Sequence, residues 1–132
     1  MYQVTIEPLG ATIGYGTKNN ATGTALLEVY DTDTVSLTPR LAYLNLKAPV
    51  AAGATTTVGF VIAAGPSQSV LIRGLGPALT SVGLTGTLSN PAVALFSGST
   101  QVATNDNWGT AATNASVANA AVTAGLRPLA DG

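Results

Sequence analysis

The sequence predicts an all-β fold: an antiparallel β-sandwich of roughly eight strands, with one short Ala-rich helix near the C-terminus. Three observations point there. Short runs of β-branched and apolar residues recur along the chain, either alternating with polar residues or continuous. Gly, Pro and Asn separate these runs at the spacing of strands and turns. Only 8% of the 132 residues are charged while 46% are hydrophobic, so the chain can bury a core and is no disordered polyelectrolyte. The length fits one domain over residues 1–132, either a subunit or one repeat of a larger array.

Tyr2 to Ile6 alternates and reads as the first strand. Residues 10–23 hold Gly14, Gly16, Asn19, Asn20 and Gly23, and read as a turn-rich stretch. TALLEVY, Thr24 to Tyr30, is the next strand, and Asp31 to Pro39 is a polar connection. LAYLNL, Leu41 to Leu46, alternates, with Ala42, Leu44 and Leu46 on one face. Thr56 to Ala63 is almost wholly apolar, as a central sandwich strand would be. SVLIR, Ser69 to Arg73, follows the Gly65-Pro66 turn. Pro77 to Val82 suits one helical turn with proline at its first position. Ala92 to Phe96 and Gln101 to Thr104 form a hairpin with Ser97-Gly98-Ser99 at its tip.

Thr113 to Ala124 breaks the strand rhythm. Its alanines and the face made by Val117, Ala118, Ala121 and Val122 predict a helix, with Gly125 as its C-terminal cap. The expected core is Val4, Ile6, Leu26, Val29, Leu44, Leu46, Val58, Phe60, Ile62, Leu71, Val93, Leu95, Val102 and Val122.

Composition excludes several functions. The chain has neither His nor Cys, which removes Ser-His-Asp triads, Cys-His nucleophiles, zinc sites and disulfides. The basic residues Lys18, Arg40, Lys47, Arg73 and Arg127 are scattered and the net charge is -1, so no nucleic acid is expected. No apolar run approaches the roughly 18 to 20 residues of a spanning helix, so no membrane span is expected. The opening residues Met1 to Ile6 show neither a basic nor an apolar export region. So few charges oppose self-association only weakly.

Asn105-Asp106-Asn107-Trp108 is the motif most open to a chemical reading. Calcium needs six to eight oxygens, usually from several carboxylates. This run supplies one carboxylate, with Asp31 and Asp33 as more distant candidates, so calcium is at most a stabiliser and no cofactor is expected. The plainer role of Asn and Asp here is to close a turn through side-chain to backbone hydrogen bonds. Trp108 with Asn107 is a candidate glycan platform, and a partly buried packing residue is the alternative. Tyr15, Tyr30 and Tyr43 are further candidate platforms. Glu7 and Glu28 sit on predicted strands and are expected to face solvent. No pair of carboxylates stands out as catalytic. Arg73-Gly74-Leu75-Gly76-Pro77 lacks the phosphate-loop pattern, and Pro77 removes an amide donor. Asn20-Ala21-Thr22 and Asn114-Ala115-Ser116 match the glycosylation sequon, a common match by chance.

Leu71-Ile72-Arg73-Gly74, Gly76-Pro77, Gly86-Thr87-Leu88, Asn90-Pro91 and Asn105-Asp106-Asn107-Trp108 together resemble a known module. It repeats in large secreted proteins of Verrucomicrobia-type environmental bacteria. TGTALLEVYDTD, Thr22 to Asp33, and GLRPLADG, Gly125 to Gly132, resemble its other segments. The likeness covers most of the chain and is weakest over residues 10–20. More distantly, the hairpin is similar to that of bacterial pre-peptidase C-terminal domains, which implies a jelly-roll-like sandwich. The resemblance implies an extracellular or cell-surface accessory, adhesive or stalk domain, and it carries over no catalytic residues.

In the module, the strands equivalent to Tyr2–Ile6 and TALLEVYD usually close the repeat. Here they come first, and the strand expected after PLADG lies outside this chain unless another copy provides it. A neighbouring copy would then supply that strand by edge pairing. The candidate subunit-contact edges are Tyr2, Gln3, Val4, Thr5, Ile6, Leu126, Pro128 and Leu129. The expected function is a non-catalytic extracellular structural protein, a head-to-tail homopolymer forming a filament or surface array. The alternative is a carbohydrate- or cell-surface-binding accessory module. An enzyme is disfavoured by the thin inventory of nucleophiles and acid–base groups.

Overall fold

The computed structural model describes residues 2–6, 10–32, 43–62, 66–107, 109, 114–126 and 129. Eight strands run in chain order: β1 (Tyr2–Ile6), β2 (Gly10–Thr17), β3 (Gly23–Asp31), β4 (Tyr43–Val50), β5 (Thr55–Val61), β6 (Gln68–Leu75), β7 (Pro91–Ser97) and β8 (Thr100–Asn105). A 3-10 turn spans Pro77–Val82, and one helix, α1, spans Asn114–Thr123. The strands make two four-stranded antiparallel sheets, ordered β1-β6-β3-β4 and β5-β2-β7-β8. β6 lies against β7 and β4 against β5, so the sheets stack as an all-β sandwich.

Period-two alternation fills the space between the sheets. Ala25, Leu27 and Val29 from β3, Val70 and Ile72 from β6, Ile13 and Tyr15 from β2, and Val93 and Leu95 from β7 form the core. Val29 and Ile72 are direct cross-strand partners, as are Ile13 and Leu95. Leu44, Leu46, Val58 and Phe60 pack on this core while half-buried.

The first sheet is covered on its second face too. Val70, Leu71, Ile72 and Arg73 are all buried, so the run SVLIR turns side chains into two interiors. Leu71 lies under α1 with Val117, Ala120 and Ala121, and Tyr30, Leu126 and Leu129 pack around them. The helix ends at Gly125 in the left-handed region (φ 68°). There the Leu126 N–H donates to the Ala121 carbonyl and the Gly125 N–H to the Val122 carbonyl, both at 2.9 Å. This is a Schellman cap, and it delivers Leu126 back onto the alanine face.

Several expectations change. Residues 10–17 are a central strand, not a turn, because Ala11, Ile13 and Tyr15 alternate inward between Thr12, Gly14 and Gly16. Gly16 serves close approach: a Cβ there would meet the Ala54 carbonyl oxygen at 2.8 Å. The true turn is the short stretch after it. Asn20 sits at φ 55°, and the Ala21 N–H donates to Thr17 Oγ1 and Asn19 Oδ1. β5 is an edge strand, not a central one. Its apolar run has a half-buried face, Val58 and Phe60, and an exposed one ending in Val61. Val102 and Val122 are 53% and 68% exposed and leave the expected core, because β8 is an edge and the helix faces inward through 117, 120 and 121. Leu26 is half-buried on the outer face of the first sheet, while Leu27 takes the core position. The side chains of Val4 and Ile6, and the expected strand start at Leu41 and Ala42, lie outside the described residues.

Leu88 plugs one end of the sandwich. The Thr24 N–H donates to the Gly86 carbonyl at 2.7 Å, and the Leu88 N–H donates to the Thr24 carbonyl at 2.8 Å. This stitch brings Gly23 against the backbone of the crossing segment. A Cβ on Gly23 would stand 2.5 Å from the Leu88 nitrogen and 2.6 Å from the Thr87 carbonyl carbon. Gly23→Ala is therefore expected to cost about 2–3 kcal/mol, the range of a forced backbone shift. Thr22→Ala, at an exposed neighbour, should stay within about 0.5 kcal/mol of wild type. Urea unfolding of the two variants checks the difference.

Candidate functional site

Two features stand out: the free sheet edges and a polar cluster under a cleft. The sandwich has four edges, β1, β4, β5 and β8. Edge strands are normally blunted by charge, proline or a bulge. β4 carries exposed Lys47 and Pro49. The β8 ladder is broken by a bulge between Leu95 and Phe96. β1 (YQVTI) and β5 (TTTVGFV) have no charge and no proline. The outward positions of β5, from Thr55 to Val61, are exposed, with Val61 77% open to solvent. The stacking of β6 on β7 and β4 on β5 puts β1 and β5 on opposite flanks. Among the described residues, no strand pairs with the outer side of either.

The polar cluster lies on the outer face of the first sheet. Register makes Glu28 of β3 the direct partner of Arg73 on β6. Arg73 Nη1 stands 3.5 Å from Glu28 Oε2, with side chains only 4% and 11% exposed. Glu28 Oε1 accepts from the Tyr30 hydroxyl at 3.1 Å and from the Tyr43 hydroxyl at 3.4 Å. Tyr30 and Tyr43, themselves cross-strand partners, stack with centroids 4.8 Å apart. Burial, then the Glu28 charge and its hydrogen bond, push the Tyr30 phenol well above its ordinary range. Burial also raises Tyr15, which is fully enclosed in the core.

Beside this cluster opens a cavity of about 760 Å³. Its floor is β3 and β6, one wall is the 3-10 turn, and the others are residues 105–107 and the chain after α1.

The predicted site residues now have places. Tyr2, Gln3, Val4, Thr5 and Ile6 form the β1 edge, while Leu126 and Leu129 pack on the Leu71 cluster instead of forming an edge. Pro128 and Trp108 lie outside the described residues, as do Glu7 and Asp33. Asn107 is exposed and lines the cavity with Asp106. Asp106 does not act as a turn-closing acceptor through Oδ1, which is enclosed without a hydrogen-bond partner. Among the described residues, no three acidic side chains gather as a metal site. Tyr15 cannot be a glycan platform, because it is fully buried. Glu28 does not face solvent, as its strand alternation suggested. It is buried, and the deciding fact is its register partner, which the sequence does not show.

No protein-family model matches the chain, and searches of curated proteins and solved structures return no match.

Two tests follow from the cluster. Arg73→Met strands the Glu28 carboxylate in a buried site and should cost about 3–5 kcal/mol. The double variant Glu28→Leu/Arg73→Met should recover most of that loss, because no buried charge remains. Chemical denaturation of the single and double variants reads both. The two raised tyrosines bind their protons more tightly in the folded state than in the unfolded state. Their contribution to stability is therefore complete below the unfolded value near 10 and is lost as pH rises above it. Tyrosinate absorbance in an alkaline titration should show Tyr15 and Tyr30 ionising only with unfolding.

Proposed function

We propose that the protein is a non-catalytic extracellular structural subunit that joins copies of itself through its sheet edges into a filament or surface array. One observation carries this reading: the two edges without charge or proline, β1 and β5, lie on opposite flanks. An uncharged edge presents a row of backbone donors and acceptors that a second strand can satisfy. Joining one flank of a copy to the opposite flank of the next is a heterologous contact, which propagates unless a rotation closes it. A net charge of -1 offers little repulsion between copies. The extracellular placement is supported by the likeness of residues 67–109 to secreted modules.

The test is to charge each edge in turn. Thr57→Lys places a lysine at an exposed position of β5. Thr5→Lys charges β1, at the position paired with Ser69. Sedimentation velocity and negative-stain microscopy should show wild type as an extended, concentration-dependent polymer and each variant as short or monomeric species. A wild type that stays monomeric at high concentration would sink the proposal. So would polymers unaffected by lysines on both edges.

A further inference from the structure

We propose that the cavity on the outer face of the first sheet binds a small amphipathic cation, an ammonium group carried on an apolar body. Its volume, about 760 Å³, lies within the roughly 300–1,000 Å³ of small-molecule sites. Leu79 and Val82 of the 3-10 turn, Pro91, and Leu126 and Leu129 after the helix supply apolar walls. These would hold the body of the ligand.

The charges on its lining select the sign. Glu28 and Arg73 neutralise each other at 3.5 Å. Asp106 is the remaining charged group among the described lining residues, and no second cation answers it there. Among the described lining residues the formal charges therefore sum to minus one, beside apolar walls. A cation is drawn in and an anion is repelled. A neutral sugar fits less well: the one described aromatic in the lining is Tyr30, whose ring is already stacked on Tyr43.

The probes are phenethylammonium, its neutral analogue 2-phenylethanol, and the anion 3-phenylpropanoate, with chitotetraose as the sugar. Each is titrated into the whole protein and followed by amide chemical shifts. Phenethylammonium should bind at least tenfold more tightly than 2-phenylethanol, with 3-phenylpropanoate weakest. Shifts should centre on Leu79, Val82 and Leu126. Asp106→Asn should bring the ammonium down to the affinity of the alcohol, and added salt should narrow the same gap. Val82→Trp, at an exposed rim position, should weaken the ammonium and the alcohol alike, and it tests the cavity should Asp106→Asn fail to fold. The inference falls if ammonium and alcohol bind equally, if none of the probes shifts these residues, or if the sugar binds best. It falls equally if Asp106→Asn folds and keeps the preference for the cation.

Discussion

The pairing of β3 with β6 is the constraint on which the other layers depend. Along this ladder Val29 meets Ile72 on one face and Glu28 meets Arg73 on the other. The two faces make opposite demands. The inner face needs apolar side chains to fill the sandwich, and the outer face holds a buried ion pair that must stay matched. Because side chains alternate with period two, slipping either strand by one residue would drive Glu28 or Arg73 into the core and strip it of its partner. The desolvation of either ion costs several kcal/mol. The register is thus held by apolar preference from one side and charge matching from the other.

A sheet covered on both faces explains much of the remaining architecture. Leu71 would be an exposed leucine in a two-layer sandwich. Here it needs a lid, and α1 supplies one with Val117 and two alanines. Alanines let the helix approach the sheet closely, and the Schellman cap at Gly125 turns Leu126 back onto the same patch. Tyr30 joins the lid through its ring while its hydroxyl reaches Glu28. The apolar lid and the polar cluster are therefore one layer, and the cavity borders it.

The second sheet is built differently. β2, one of its two inner strands, buries Ala11, Ile13 and Tyr15 and carries Gly14 and Gly16 on the other face, where they admit Thr55 and its neighbours. Its edge strand β5 lies on the flank opposite β1, and neither has the charge or proline found on β4. The edges thus differ in how they are blunted, on a chain of which only 8% of residues are charged.

The sequence by itself determined the sandwich class, the hairpin of β7 and β8, the 3-10 turn and the helix with its glycine cap. Each of those rests on local chemistry: period-two alternation, proline at a first turn, glycine in the left-handed region. Glycine misled where it served close approach, so β2 looked like a turn. The apolar run of β5 looked central because hydrophobicity does not reveal which neighbours a strand has. Only the tertiary structure decided that Glu28 and Arg73, forty-five positions apart in the chain, share a buried site. It alone decided that Val102 and Val122 face solvent, and that Asp106 borders a cavity. Strand order and register are long-range properties, and the side chains that depend on them carry no local mark of where they end up.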